Sequence, residues 1–200
     1  MKKNLEKNKI SIDSRLNFGG KVILNHKKLQ EIVEHCKGLG LRIVLTQGSW
    51  DLIHIGHARY MCEAKKHGDL LIVGVDSDEK IRKRKGPDRP IVPQEERMEM
   101  VGHLRYVDLV TIKESKDPKW NLIKMIRPDV LIATKRMEYT RKDVKELQKF
   151  CGQVKLLESQ ATTSTSAKIR LLQINTAHKL EKSLTPKILE TIENVLRSVK

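Results

Sequence analysis

The stretch TQGSWDLIHIGHARY, residues 46–60, joins the end of an aliphatic segment, a glycine turn and the start of a helical pattern. The aliphatic segment RIVLT, residues 42–46, is typical of a short buried strand. The second half of the stretch contains His54 and His57, three positions apart, with Gly56 between them. Side chains three apart lie on the same side of a helical turn. The pattern therefore predicts two imidazoles at one spot, where a strand becomes a helix.

The rest of the chain repeats this alternation of strand and helix. The predicted strands are 42–46, 69–78, 106–112, 129–134 and 153–159, and the predicted helices are 25–37, 57–68, 93–104, 118–126, 141–152 and 165–174. Strands that alternate with helices of this length indicate βα units. We therefore expect an α/β fold, a single Rossmann-like domain with a parallel sheet of about five strands flanked by helices. Ligands of such sheets bind beyond the carboxyl ends of the strands.

Three segments are expected along the chain. Residues 1–20 have no sustained period and are predicted to be an N-terminal arm. Residues 21–176 form the predicted domain, and residues 177–200 a C-terminal amphipathic helix. Thr185 is its N-cap candidate and Pro186 the first helical residue. Its apolar stripe is expected to dock on the domain or on a partner subunit.

Composition and charge limit the classes of function. No window of about 18 apolar residues is present, so no membrane span is expected. The three cysteines lack metal-ligand spacing, and their odd number suits a reducing compartment, so we predict a cytoplasmic protein. A net charge of +15 admits nucleic acid, an acidic membrane surface or a phosphorylated substrate as partner. Aromatic residues are scarce, so nucleic acid is not the expected partner, although a basic nucleic-acid-binding protein on the same fold stays an alternative.

The turn after the first strand has the composition of a phosphate site. It contains Gly48, Ser49, Trp50 and Asp51, and the helix that follows presents unpaired N–H groups and the positive end of its dipole. Gly48 allows close approach of a ligand to the backbone, and Gly56 allows a nucleotide to lie against the helix start. Two imidazole donors there would stabilise the charge that in-line attack places on the oxygens of a phosphorus atom. A metal site is the alternative for a histidine pair, but no third ligand is apparent.

The segment GSWDLIHIGHARY, residues 48–60, resembles the H-x-G-H signature of the nucleotidyltransferase superfamily, which includes cytidylyltransferases and sugar-phosphate adenylyltransferases. Residues 74–110 are similar to the nucleotidyltransferase domain of bacterial heptose 1-phosphate adenylyltransferases, with S-D, K-G, R-P-I-x-P and E-x-R-M at matching spacing. TSTSAKI, residues 163–169, resembles the late S-T-[ST] motif of the family. Class I aminoacyl-tRNA synthetases share H-I-G-H, but the chain has no K-M-S-K-S sequence and no room for an anticodon-binding domain.

The resemblance implies a reaction and a set of site residues. The reaction is transfer of a nucleoside monophosphate, first AMP from ATP, to a phosphorylated acceptor such as a sugar 1-phosphate, with release of pyrophosphate. The alternative pair of substrates is CTP with glycerol 3-phosphate or a similar phosphorylated alcohol. The third choice is adenylylation of the FAD type or the pantetheine type. Mg²⁺ would arrive with the nucleoside triphosphate, since no dedicated metal site is apparent.

The implied site residues fall into three groups. The catalytic group is His54, His57 and Lys85; the nucleotide-binding group is Gly48, Ser49, Trp50, Asp51, Gly56, Ser164, Thr165 and Ser166; and the candidate phosphate or acceptor contacts are Arg89, Arg97, Glu138 and Tyr139. Simpler roles stay open for several of them. Lys85 could be a surface lysine, Asp51 a turn residue and the Ser/Thr cluster a helix cap, while Arg97 could brace the loop through an ion pair.

Three further segments bear on the branch of the family and on assembly. Related enzymes have a G-G-D-Y or G-D-D-W segment where this chain has TKRMEY, residues 134–139, so the base or the acceptor is expected to differ. Cytidylyltransferases for glycerol phosphate carry an arginine that ESQATTST, residues 158–165, lacks, which favours the adenylyltransferase branch. RYVD, residues 105–108, matches a tetrapeptide at the dimer contact of glycerol-phosphate cytidylyltransferases and predicts a homodimer.

Overall fold

The computed structural model describes residues 20–134, 140–158, 160 and 165–198. The chain divides into two compact units, Met1–Thr162 and Thr163–Lys200. The strands are β1 (Ile43–Gly48), β2 (Leu70–Asp76), β3 (Leu109–Lys113), β4 (Val130–Thr134) and β5 (Gln153–Leu157). The helices are α1 (His26–Gly38), α2 (Ile55–Lys65), α3 (Asp78–Lys85), α4 (Gln94–Gly102), α5 (Asn121–Ile126), α6 (Arg141–Leu147) and α7 (Thr165–Ser198).

The described strands form one parallel sheet in the order β3-β2-β1-β4-β5. In the centre of the sheet, Thr46 of β1 lies in register with Val73 of β2 and Ile132 of β4. The chain winds outward from β1 first to one side and then to the other, so the order reverses between β1 and β4. A crevice forms at such a switch point, beyond the carboxyl ends of the strands. The prediction of a parallel α/β fold with about five strands is confirmed.

Burial on both faces explains why the central strands β1, β2 and β4 are largely apolar. Successive side chains of a strand point to opposite faces of the sheet. Val44 of β1 packs in one core with Met61 of α2 and Val101 of α4, whereas Ile43 and Leu45 pack in a second core beneath α1, α5 and α6. Burial of each such side chain contributes roughly 1.5–3 kcal/mol, so the centre of this sheet is covered on both faces.

Helix α3 covers the strongly basic segment DEKIRKRK, residues 78–85, for which no helix was predicted. Ser77 is its N-cap and accepts the backbone N–H of Lys80, while Gly86 ends the helix with φ of 97°. Acidic residues occupy its first turn and basic residues its last turn, as the helix dipole favours. Only Ile81 is buried, so the apolar periodicity that reveals most surface helices is absent here.

Helix α7 forms the described part of the second unit and is continuous over 34 residues. The N-terminal cap predicted at Thr185 and the helix start predicted at Pro186 are wrong, because both residues lie inside this helix. Proline removes one backbone hydrogen bond, but the apolar period continues on both sides of it. The stripe is exposed in Leu184, Ile188 and Ile192, and what covers it stays a prediction. Among the described residues, no helix is both long enough and apolar enough to cross a membrane.

Candidate active site

The histidine pair lies directly beyond the carboxyl end of β1. His54 is the N-cap residue of α2, and its Nδ1 atom accepts the backbone N–H of Gly56 at 3.0 Å. The backbone N–H of His54 in turn donates to Nδ1 of His57 at 3.2 Å. The two ring centroids are 4.1 Å apart. The side chains predicted to lie together are therefore brought together, and the first turn of α2 holds both rings.

These hydrogen bonds determine which ring nitrogen carries the proton. A neutral imidazole has one donor nitrogen and one acceptor nitrogen. Because Nδ1 of each ring accepts a backbone N–H, the hydrogen of each neutral ring is on Nε2. Both histidines are partly exposed, so each ring can present an Nε2–H donor to a ligand at the end of the sheet. Two such donors suit the oxygens of one phosphate group.

The turn between β1 and α2 adopts a backbone conformation that non-glycine residues rarely take. Trp50 has φ of 53° and Leu52 has φ of 49°, both in the left-handed region. Such conformations each cost about 1–3 kcal/mol and persist only where the surroundings hold them. They occur here in the segment that leads into the histidine pair. The turn therefore has a defined shape that depends on its contacts.

The side chain of Trp50 supplies one of these contacts and is buried. Its Nε1–H donates to the carbonyl of Gly74 on β2 at 3.0 Å, and its ring meets the edge of His57 with centroids 5.7 Å apart. A Cβ atom at Gly48 would lie 3.1 Å from the indole, so a glycine there allows the indole to pack. Trp50 thus supports the ring of His57 from inside the protein, rather than reaching outward.

Asp51 connects the same turn to the segment before α4. Its carboxylate accepts the backbone N–H groups of Ile91 and Val92 at 3.1–3.2 Å, and Arg89 lies 2.6 Å from it. Asp51 is buried and the side chain of Arg89 is mostly so. These contacts favour a loop-orienting role for Asp51. They also place Arg89, a predicted phosphate contact, at the edge of the site with its charge already paired.

Arg97 is fully buried and connects four parts of the structure. Its guanidinium donates to the carbonyls of Ser49, Val92 and Asp76 and to the carboxylate of Asp78. The side chain is 1% exposed. Of the two roles open from the sequence, contact with phosphate and bracing of the loop, this environment favours bracing. A phosphate role of Arg97 stays an untested prediction.

Lys85, at the end of α3, lies among charges of both signs. Partial desolvation and the nearby positive charges of Arg84 and Arg89 lower the pKa of its ammonium below the ordinary value for lysine, while Asp51 and Asp76 oppose this shift. The side chain is accessible to solvent. A cation that is held among other cations gains most from binding an anion, which agrees with the predicted contact to phosphate.

Three charged residues that the sequence analysis did not select also lie at this edge of the sheet. The carboxylate of Asp76, at the end of β2, is buried and pairs with Arg84 at 2.9 Å and with Lys113 at 3.3 Å. Arg84 also donates to the Ser49 hydroxyl at 2.8 Å. The sequence held a usable signal, because Asp76 and Lys113 each end an aliphatic strand at the edge where ligands bind.

The structure describes only some of the remaining predicted site residues. Thr165 and Ser166 are in the first turn of α7, as predicted for the S-T-[ST] motif. Ser164, Glu138 and Tyr139 lie outside the described residues, as does most of the TKRMEY segment. Their roles stay predictions.

The carboxylates of Asp51, in the turn after β1, and of Asp76, at the end of β2, do not fit a resident divalent cation. Magnesium and calcium bind to carboxylate oxygens that are open to them, but Asp51 and Asp76 already pair with arginine and lysine side chains. Among the described residues, no group of three or more His, Cys, Asp or Glu side chains lies close enough to hold a metal ion. The charge of this site is therefore carried by the protein's own cations.

A pair of Nε2–H donors beyond the first strand of a parallel sheet, with cations around it, suits chemistry at phosphorus. The fold and the histidine pair together define a nucleotidyltransferase domain. The chain belongs to the cytidylyltransferase-like family, whose family model matches residues 45–193. The resemblance in the sequence analysis is thereby confirmed.

Curated relatives agree with this assignment. The chain is 39% identical over 153 residues to the bifunctional protein HldE of Wolinella succinogenes, a match that covers 76% of this chain and 31% of the relative. It is 35% identical over 150 residues to the bifunctional protein HldE of Aliarcobacter butzleri, with 74% and 31% covered. The match thus spans about a third of the length of these relatives.

Two solved structures resemble the fold. One is a lipopolysaccharide core biosynthesis protein from Thermoplasma volcanium, with a TM-score of 0.51 and 27% identity, over 60% of this chain and 97% of that one. The other is pantoate-beta-alanine ligase from Francisella tularensis, with a TM-score of 0.53 over 72% and 68% of the two chains. At 13% identity the second shows a common fold alone.

Proposed function

We propose that this chain transfers a nucleoside monophosphate from a nucleoside triphosphate to a phosphorylated acceptor and releases pyrophosphate. An oxygen of the acceptor phosphate forms a bond to the α-phosphorus, and the bond from that phosphorus to the bridging oxygen of the β-phosphate breaks. The pyrophosphate departs with the electron pair of that bond. The observation that carries the proposal is the pair of rings, His54 and His57, each held with its hydrogen on Nε2.

The histidine pair would act on the charge that develops during this exchange. In-line displacement spreads negative charge over the equatorial oxygens of the α-phosphate. Donors that the backbone already fixes stabilise this charge without reorganising, and a donor of this kind contributes a factor of roughly 10²–10³ in rate. Lys85 would hold the other phosphates as a mobile point charge. Positioning and electrostatics then supply the rate, and no covalent intermediate with the protein is needed.

ATP and a sugar 1-phosphate are our first choice of substrates. The relatives named bifunctional protein HldE and the resemblance of residues 74–110 to heptose 1-phosphate adenylyltransferases support it. The similarity to the lipopolysaccharide core biosynthesis protein of Thermoplasma volcanium also agrees with a sugar acceptor. CTP with glycerol 3-phosphate is the second choice, supported by the cytidylyltransferase-like family itself.

Magnesium would enter the reaction with the nucleotide. The ion prefers a few carboxylates together with phosphate oxygens and water, and the carboxylates of Asp51 and Asp76 here already pair with cations. We therefore write the substrate as the magnesium complex of the triphosphate, with the metal bound through the phosphates.

A homodimer in the cytoplasm completes the proposal. Tyr106 in the RYVD segment is 40% exposed, so part of its side chain is accessible for contact with a second copy. The free thiols of Cys36, Cys62 and Cys151 agree with a reducing compartment. Light scattering on the intact chain should give twice the monomer mass, and the Tyr106→Glu variant should shift towards the monomer.

The test of the reaction is pyrophosphate release. Purified protein is incubated with each of ATP, CTP, GTP and UTP, with magnesium and with a panel of sugar 1-phosphates and phosphorylated alcohols. We expect release with ATP and a sugar 1-phosphate, and none without an acceptor. The His57→Ala variant should lose most of this activity while its thermal unfolding stays within a few degrees of the wild type.

Two outcomes would contradict the proposal. One is the absence of pyrophosphate release with every pair of substrates. The other is unchanged turnover in the His57→Ala variant. Salt-sensitive binding to RNA or DNA without any pyrophosphate release would instead favour the nucleic-acid alternative.

A further inference from the structure

Arg84 is an exposed cation that contacts the turn before the histidine pair through a side chain of that turn. Its Nη2 atom donates to the hydroxyl of Ser49 at 2.8 Å and to the buried carboxylate of Asp76 at 2.9 Å. The same turn continues into His54 and His57. One nitrogen of the guanidinium therefore ties the end of α3 to the ends of β1 and β2.

The charges around Asp76 do not cancel. Its carboxylate is 1% exposed and pairs with both Arg84 and Lys113, so the three side chains together carry one positive charge. Lys113 is largely buried, whereas the side chain of Arg84 is 51% exposed. Arg84 is thus the member of the trio through which solvent and ligands reach the excess charge. Lys85, the next residue, adds a second accessible cation.

The guanidinium retains donors for a ligand. Arginine has five N–H donors in a planar fork that matches phosphate oxygens. Among the contacts of the described residues, those of Arg84 use Nη2 alone. The contacts of Nη2 already hold the guanidinium in place. The side chain would therefore lose less conformational entropy when it binds an anion.

We infer that Arg84 binds a phosphate group of a substrate, with Asp76 and Ser49 as its positioning residues and Lys113 as the cation that leaves it a net positive charge. This inference rests on the proposed function, because it assigns a further contact at the same site. The phosphate group belongs either to the triphosphate or to the acceptor. Both have the oxyanion that the fork recognises.

Direct binding measurements on the full chain test this role. Calorimetric titrations use sodium tripolyphosphate as the probe for the triphosphate and glucose 1-phosphate as the probe for the acceptor. In the Arg84→Gln variant, we expect the dissociation constant of one probe to rise roughly tenfold to a hundredfold, since hydrogen bonds to charged groups contribute on that scale. The probe that is affected identifies the source of the phosphate.

The chain provides a matched control in the same helix. Arg82 is also about half exposed, and its described ion pair is with Asp78 at 3.8 Å. The Arg82→Gln variant removes the same charge and should change either affinity less than threefold. The Arg84→Lys variant keeps the charge without the fork and should bind with intermediate affinity. Thermal unfolding of each variant checks that the fold is intact.

These results separate a phosphate ligand from a structural tie. Wild-type affinity for both probes in Arg84→Gln would overturn the inference, as would equal weakening in Arg82→Gln, or a wild-type protein that binds neither probe at millimolar concentration. Where turnover is measurable, the KM for the affected substrate should rise while kcat stays within about threefold. The probes are bound and not converted, so the binding result stands whatever the pyrophosphate assay gives.

Discussion

Nδ1 of His57 accepts the backbone N–H of His54 at 3.2 Å, so the main chain of one histidine orients the ring of the other. Nδ1 of His54 accepts the N–H of Gly56 in the same way. Two backbone N–H groups at the start of α2 are thus satisfied by the rings that they hold in place. Helix capping uses Nδ1 of each ring, whereas the proposed ligand contact would use Nε2, so substitution can test the two roles separately.

Replacement of His57 by asparagine should abolish most of the activity while the cap is retained. The shorter side chain places its oxygen near the position of Nδ1, where it can accept the N–H of His54, but it has no donor at the position of Nε2. We expect turnover to fall by roughly 10²–10³. Pyrophosphate release and chemical unfolding are the measurements, and the free energy of unfolding should change by less than about 1 kcal/mol.

His103→Asn is the matched control, because His103 is exposed near the end of α4 and its ring lies 3.8 Å from Glu99. Its turnover should equal that of the wild type. If His57→Asn kept turnover within threefold of the wild type, the donor role of Nε2 would be wrong.

Trp50→Phe should weaken both the fold and the reaction. The substitution removes the N–H that the carbonyl of Gly74 accepts, and an unsatisfied buried acceptor costs about 1–3 kcal/mol. The smaller ring also loosens the edge contact with His57, so turnover should fall several-fold. Trp120→Phe makes the same change elsewhere in the chain and should leave turnover unchanged. Equal turnover in both variants would show that the contact of Trp50 with His57 does not contribute to the reaction.

Arg97→Met separates a structural brace from a ligand contact. Loss of a buried arginine leaves Asp78 and three carbonyls without their donor, so the free energy of unfolding should fall by about 3–5 kcal/mol. Arg82→Met, on the exposed side of α3, should change it by less than about 0.5 kcal/mol. Urea unfolding measures both. A stable Arg97→Met protein with weakened binding of tripolyphosphate would favour the phosphate role instead.

The lowered pKa of Lys85 predicts an alkaline pH dependence. Its amine releases its proton at a lower pH than an ordinary lysine, because desolvation and the charges of Arg84 and Arg89 disfavour the ammonium. Affinity for tripolyphosphate should therefore fall as the pH rises through this lowered pKa. The alkaline part of this decrease should be absent in the Lys85→Met variant, and an identical pH profile in both proteins would contradict the prediction.

The same shift has a consequence for stability, of opposite sign. Between the folded-state and the unfolded-state pKa of Lys85, the unfolded chain binds more protons than the folded chain, so the contribution of Lys85 to stability rises with pH. Thermal unfolding midpoints measured at alkaline pH, up to the ordinary pKa of lysine at about 10.4, should show this contribution in the wild type and lack it in Lys85→Met.

Local patterns in the sequence were sufficient to predict the architecture of the sheet. The five described strands were predicted to within a few residues, and in the centre of the sheet the signal was an aliphatic run, because a strand buried on both faces needs apolar side chains on both. Asn25 was a usable signal for the start of α1, and its side chain does accept the N–H groups of Lys27 and Lys28. Helix α3 was missed, since a helix with a single buried residue leaves no periodic signal.

The sequence by itself determined the parallel α/β fold and the proximity of His54 and His57, because strand burial and the helical repeat are properties of neighbours along the chain. Only the tertiary structure decided which charges are already paired. Arg84 and Arg97 both follow β2 in the chain, yet the side chain of Arg97 is enclosed among carbonyls and that of Arg84 is half exposed. That difference depends on residues distant in sequence, such as Ser49 and Asp76, whose positions follow from how the strands assemble into the sheet.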